Sequence, residues 1–326
     1  MPTLNGFIRS YQASVRRSKR EQQREAREAA KRYKAQLKQE LIENVAESVS
    51  AYNDYIELLQ SVHKNFTGTV DWIAIENESK PEKPVRKSVN EVVAKERLEV
   101  YKPSMSDKLF GRTSKKIEEL EFAVEEGQRM DEEEFNSLKE EYEDWEYLQN
   151  ILTGVKNRDP ESFKSALEYF SPFSDIAELG TDIKLIIDKN QADINLYNNN
   201  KELIPNYTLK QTATGKLSKK NMTKSKHNEL YQDHVCSLVI RVAREFFAHV
   251  PFNQVRVNVI TKILNSSTGH LEDKPILSVI MISETINSLN LETIDPSDSM
   301  ANFVHNMKFS KIKGFSPVSI VELSET

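Results

Sequence analysis

Apolar side chains recur at every third or fourth position over a long early stretch: Tyr33, Leu37, Leu41, Val45, Val49, Tyr52, Ile56, Leu59 and Val62. This is one stripe of an α-helix. Upstream it thins to Tyr11, Val15, Gln22, Ala26 and Ala29, and residues 5–64 hold no proline and only Gly6. A helix over the whole stretch would be about 90 Å long. Its stripe needs a second helix, from this chain or another copy, to cover it. Asn65 to Thr69, with Gly68, ends it.

Residues 76–88 are low in apolar content and contain Pro81 and Pro84, which predicts a linker. Ser88 is positioned to cap a helix carrying Val89, Val92, Val93 and Leu98, closed by Lys102-Pro103. An acidic helical hairpin is expected next. Its first arm, 114–126, has Ile117, Leu120 and Val124 on one face, and Gly127 breaks it. Asp131 would cap a second arm bearing Phe135, Leu138, Tyr142, Trp145, Leu148 and Leu152. Asp159-Pro160 opens a short helix with Phe163, Leu167 and Phe170 on its buried side.

From residue 181 the period changes from three-and-four to two. Ile183, Leu185 and Ile187 alternate, Asp188 to Gln191 make a turn, and Ile194 and Leu196 alternate again, as in a β-hairpin. Tyr207 to Lys210 and Lys216 to Lys219, around Thr214-Gly215, predict a second, weaker hairpin. A central helix over 226–250 is apolar over much of its surface, with Leu238, Val242 and Phe246 facing strands. Val255 to Ile263 alternate as a half-buried strand, 265–274 make a loop, and the near-continuous apolar run 275–282 fits a central strand. Asp295-Pro296 would open a final helix, holding His305 and ending in Lys308, Lys311 and Lys313. The expected class is α+β. The predicted organisation is a long basic and amphipathic coiled-coil helix (1–66), a linker with a short helix (67–112), an acidic hairpin region (113–172) and a small antiparallel-sheet domain (173–326).

Charge changes this picture because it is segregated. The net charge is −5, yet residues 1–39 carry 11 Lys or Arg against 3 Glu, and residues 117–147 carry 14 Asp or Glu against Arg129 and Lys139. Residues 210–226 hold 6 Lys and no acid. Arg16, Arg20, Arg24, Arg27, Lys31, Lys34 and Lys38 step by fours and threes, so a helix would align them as one ridge. Such a ridge suits either the solvated face of a coiled coil or a phosphate backbone. Tyr11 and Tyr33 flank it without interleaving, so it has no base-stacking pattern.

The chemistry-bearing motifs are sparse. The sequence has no glycine-rich phosphate loop and no zinc-ligand spacing, and no metal or cofactor is expected. One cysteine, Cys236, cannot form an internal disulfide, no run approaches a membrane span, and Arg9, Arg16 and Arg17 are followed by no apolar signal region. A cytoplasmic protein is the expectation. His227, Glu229, Tyr231, Asp233 and His234 cluster at the start of the central helix, where acids suit the helix dipole. Asp188, Asp193, Glu229 and Asp233, with His234, are the catalytic candidates for a metal-dependent phosphodiesterase, a reading that requires them to converge in one cleft. The favoured expectation is non-enzymatic: an assembly or interaction protein with a homo-oligomeric or helical partner, no membrane, and nucleic-acid association through the ridge together with Lys216, Lys219 and Lys220. Basic residues recur in three places, 16–38, 210–226 and 308–313.

Overall fold

The computed structural model describes residues 45–178, 181–198, 200–213 and 215–322, together with Glu28 and Lys31. The chain divides into two compact units, one formed by residues 72–153 and the other by the segments on either side of it. It is α+β, as the change of period at residue 181 predicts.

The first described helix, α1 (Val45–Gln60), buries Tyr52, Tyr55 and Leu59. The cover for this part of the stripe is the chain's own C-terminal half. Tyr52 Oη donates to the Tyr207 carbonyl and Tyr55 Oη to the Leu203 carbonyl, both at 2.9 Å. The stripe from Tyr33 to Leu41 lies outside the described residues. The helix ends at Gln60, before the expected stop, and a 3-10 turn (Val62–Lys64) follows.

The unit 72–153 contains α2 (Trp72–Glu76), α3 (Val89–Val100), α4 (Met105–Leu109) and nearly all of α5 (Thr113–Lys156). The two expected hairpin arms are one continuous helix of 44 residues. Gly127 does not break α5; it admits α3. A Cβ there would lie 2.8 Å from the backbone carbon and oxygen of Asn90. Asp131 does not cap its own helix either. It receives the backbone N–H groups of Asn90 at 3.0 Å and Glu91 at 2.9 Å, satisfying the first turn of α3. Ser88 stands at the N-cap of α3 without a side-chain capping bond. The short α4 has its own capping box, from Ser104 and Asp107.

In the other unit, α6 (Pro160–Phe170) is capped by Asp159, which accepts from the Ser162 N–H, and a short α7 (Ser174–Glu178) leads into the sheet. Strands β1 (Thr181–Ile187) and β2 (Ala192–Asn198) form the first hairpin, and β3 (Tyr207–Gln211) and β4 (Leu217–Asn221) form a separate two-stranded ribbon. Helix α8 (Lys224–His249) then crosses to β5 (Gln254–Leu264) and β6 (Leu271–Ile282). Short helices α9 (Ser283–Ser288) and α10 (Pro296–Ser299) precede β7 (Val304–Ser310) and β8 (Gly314–Ser316). Residues 304–310 are thus a strand rather than the end of the expected last helix. The Asp295-Pro296 device does start a helix, but alternation from Val304 lets the chain pair with β6.

The main sheet runs β1-β2-β5-β6-β7-β8. It is mixed, not purely antiparallel, because β2 and β5 pair in parallel. A parallel neighbour requires a crossover, and α8 supplies it. One face is an apolar layer in which Ile194, Leu196, Val255, Val257, Val259, Leu277, Val279 and Met281 are all fully buried. Helix α8 packs on the sheet with Val235, Leu238, Val239, Val242 and Phe246 fully buried. The helix is enclosed on most sides, and its buried polar residues, Asn228, His234, Ser237, Arg241, Glu245 and His249, lie among these apolar ones.

The opposite face carries a polar row. Asn258 donates to Asn195 Oδ1 at 2.9 Å and accepts from Ser278 Oγ at 2.7 Å. The C-terminal segment covers this row, with the Val321 N–H on Ser278 Oγ and the Val318 N–H on the Pro275 carbonyl. Pro275 is tolerated inside β6 because the ladder with β5 is irregular there, with the register shifting between Val259 and Ile260.

Candidate nucleic-acid interface

A groove of about 1020 Å³ opens between the N-terminal half of α8, the far ends of β5 and β6, the segment before β3, and the β7–β8 turn. Its lining is mainly apolar, with aliphatic side chains such as Ile204 and Ile276 beside four aromatic rings, and it carries two lysines. Tyr55 and Tyr231 are buried, Tyr207 and Phe315 are half-buried, and Lys262 and Lys313 are exposed. His227 and Thr261 also line it, and Glu202 is its one carboxylate.

Each wall has a local reason. Tyr231 meets Phe315 edge-on, with centroids 5.6 Å apart, and Phe315 meets Phe309 at 5.2 Å, so β8 is anchored to α8 by aromatic packing. Burial pushes the Tyr231 phenol up to about 12, against a lowering by its hydrogen bond to Thr261, so it stays protonated at neutral pH. Gly314 has φ +80, a conformation that favours glycine, and a Cβ there would press on Asn228 Oδ1 at 3.3 Å. Asn228 in turn donates to the Lys311 carbonyl at 2.8 Å. The turn that presents Lys313 is therefore tied to α8.

The β3–β4 ribbon contributes Tyr207 to the groove lining. Alternation sorts its lysines: Lys219 shares a face with Tyr207 and Leu209, whereas Lys210 and Lys220 lie on the opposite face with Thr208 and Ser218. Lys219 Nζ sits 4.1 Å from the Tyr207 ring centroid, placing it at the groove. Lys216 is exposed at the ribbon's turn. Of the three basic segments read from the sequence, 308–313 brings Lys313 into the groove lining, where Lys262 of β5 joins it, and 210–226 approaches through the contact of Lys219 with Tyr207. Lys262 and Lys313 form no ion pair among the described residues.

Of the seven ridge cations only Lys31 is described, as a helical and exposed residue. Arg16, Arg20, Arg24, Arg27, Lys34 and Lys38 lie outside the described residues.

The candidate carboxylates are held apart by separate partners. Asp188 accepts the Lys189 N–H in the β1–β2 turn. Asp193 takes a two-pronged bond from Arg256 at 2.7 and 2.6 Å. Glu229 pairs with Lys311 at 2.5 Å, and Asp233 accepts from Gln60 Nε2 at 2.8 Å. Burial, then the charge of Asp295, raises the Asp233 carboxyl above its ordinary range. Among the described residues no group of three or more His, Cys, Asp or Glu is gathered to hold a metal ion. Glu272 and Lys274 pair with each other at 2.9 Å, within β6 rather than in a loop.

The histidines near α8 are framework. His234 Nδ1 meets the Leu59 carbonyl at 3.0 Å, and burial lowers its pKa. His63 bridges Ser237 Oγ at 2.8 Å and the Leu291 carbonyl at 3.0 Å. Cys236 is fully buried, and desolvation pushes its thiol up, which suits a packing residue rather than a nucleophile.

Reasoning from sequence missed Lys262, Tyr207, Tyr231 and Phe315 as members of one site. Tyr207 and Lys219 carried a usable signal, since alternation in a hairpin puts them on one face. Lys262 and Phe315 carried none, because only tertiary packing brings them into one groove with Tyr207. Comparison of the chain with protein-family models, curated proteins and solved structures finds no match.

Proposed function

We propose that this is a non-enzymatic binding protein that associates with nucleic acid through the groove between α8 and the β3–β4 ribbon. The observation that carries the reading is a groove lined by Lys262 and Lys313 together with Tyr207 and Phe315, with Lys219 Nζ 4.1 Å from the Tyr207 ring centroid. Cations without carboxylate partners attract phosphates, and ring faces accept bases. The basic ridge at 16–38 would extend the same electrostatic footprint. We place the protein in the cytoplasm as part of this proposal, on the ground that its one cysteine makes no internal disulfide; among the described residues no helix is long and apolar enough to cross a membrane.

A partner protein or a second copy is a further part of the reading, and the unit 72–153 favours it. On α3 the valines at 89, 92, 93 and 100 face solvent, while Ala94 is buried. Met105, Leu109 and Phe110 follow, with exposures of 90, 81 and 66 %. Runs of exposed apolar side chains of this kind mark interaction surfaces.

The test is fluorescence anisotropy of short labelled oligonucleotides with the nuclease-treated full chain. Binding at low salt that drops several-fold in a Lys219→Gln, Lys262→Gln, Lys313→Gln variant supports the reading. Absence of binding by the native chain removes it.

A further inference from the structure

The groove is built differently from a surface that only follows a phosphate backbone. Its lysines are exposed at the rim, but its rings are recessed: Tyr207 and Phe315 are half-buried, and Tyr231 and Ile276 close the floor. A duplex keeps its bases stacked inside and offers phosphates and groove edges, so it would touch the rim without stacking a base on the rings. A single strand can turn bases inward while its phosphates stay outside.

Glu202 sharpens the distinction. It is exposed, lines the groove, and has no ion-pair partner among the described residues. A carboxylate repels a phosphate track, yet it accepts hydrogen bonds from the amino groups of bases. Its presence fits a site that meets base edges as well as phosphates.

The Lys219–Tyr207 pair provides an adjustable element. The ammonium lies 4.1 Å from the ring centroid, and the Tyr52 ring packs on the same tyrosine at 6.0 Å, so a base would stack in the place that Lys219 now takes. The lysine stem is flexible, so the charge can swing to a phosphate while the ring takes a base. Tyr207 stays fixed meanwhile, because its carbonyl holds Tyr52 Oη at 2.9 Å and its strand pairs with β4.

Resting on the nucleic-acid reading of this groove, we propose that its ligand is single-stranded nucleic acid, with bases stacked on Tyr207 and Phe315 and phosphates held by Lys219, Lys262 and Lys313. Either DNA or RNA supplies that chemistry.

The experiment compares single-stranded DNA, single-stranded RNA and duplexes of the same sequence, titrated with the full chain at one salt concentration. The expected result is single-strand binding roughly tenfold tighter than duplex binding, with the DNA and RNA arms identifying which strand is preferred. Tyr207→Leu should weaken single-strand binding about tenfold, the scale of one lost base stack, and leave duplex binding unchanged. Tyr207→Phe retains the ring and should retain the affinity; it also separates loss of stacking from loss of folding, which circular dichroism checks in both variants. Equal affinity for single strand and duplex, with Tyr207→Leu neutral, overturns the single-strand inference while leaving nucleic-acid association standing. No binding to any of the three overturns the underlying reading as well.

Discussion

Lys219 and Tyr207 are diagonal neighbours on one face of the β3–β4 ladder, with the ammonium of the first 4.1 Å from the ring centroid of the second. Lys220, one residue on, points to the other face because side chains alternate along a strand. Two adjacent lysines in one basic segment are thereby assigned different surroundings. Lys219→Gln should weaken oligonucleotide binding several-fold more than Lys220→Gln. Equal effects in anisotropy titrations would mean that the ribbon acts only as a diffuse patch of charge.

The crossing of α3 over α5 depends on Gly127. Valine there would force its side chain into the backbone of Asn90 and Glu91, so we expect Gly127→Val to destabilise the unit 72–153 by about 1–3 kcal/mol, as for overpacking. Asp131→Ala should lower stability too. Burial works to raise the Asp131 pKa, but the hydrogen bonds from Glu91 and Asn90 outweigh it and hold the carboxylate ionised over those donors. The readout is selective, since both tryptophans, Trp72 and Trp145, lie in this unit. Denaturant unfolding followed by tryptophan emission should show an earlier midpoint in both variants. An unchanged midpoint in Gly127→Val would show that the two helices do not cross there.

Arg241 and Glu245 form a buried ion pair at 2.7 Å on α8. Glu245 also accepts the Thr67 N–H at 2.8 Å and bonds the Thr67 hydroxyl, fastening the 65–70 segment to the helix. Burial lowers the Arg241 pKa to about 10 and raises that of Glu245. Glu245→Ala leaves an uncompensated buried guanidinium and should cost about 3–5 kcal/mol. Circular dichroism melting of the variant checks this; a loss within experimental error would contradict it.

His63 and His234 are buried, and desolvation lowers the pKa of both below the ordinary imidazole value. The unfolded chain therefore binds protons that the folded chain refuses, and these residues remove stability as pH falls through and below about 6.5. Each would add a slope of up to about 1.4 kcal/mol per pH unit over that window. Denaturation midpoints measured on either side of pH 6.5 should fall toward acid, and His234→Gln should flatten the dependence. An equal slope in that variant would show that His234 titrates normally.

How much of this could be read from the chain depended on whether the signal was local. The hairpins at 181–198 and 207–221 and the strand β5 follow from alternation and turn residues, and α8 from a surface that is largely apolar; β6 was legible only from Pro275 on, because Glu272, Asp273 and Lys274 at its start look like loop. Gly127 and Asp131 misled for a physical reason. Both look like helix punctuation, but their neighbours are residues 36 to 41 positions away, so their roles are tertiary. The C-terminal strand β7 was hidden by the Asp-Pro start of α10, a genuine local signal for a helix that stops after one turn. At the site, the basic segment 210–226 was visible as composition. The contact of Lys219 with Tyr207 and the placing of Lys262 and Lys313 in one groove arise from tertiary packing, and periodicity along the chain carries no information about the groove.

The most direct test of nucleic-acid association is the salt dependence of binding to a single-stranded oligonucleotide, comparing the native chain with the Lys219→Gln, Lys262→Gln, Lys313→Gln variant. Each phosphate contact on a single strand contributes about −0.7 to the slope of log affinity against log salt. Loss of three contacts should make the slope shallower by roughly 2. A shallower slope of that size, with folding unchanged by circular dichroism, is the predicted result. A slope identical to that of the native chain would contradict the assignment of these three lysines to the phosphate backbone.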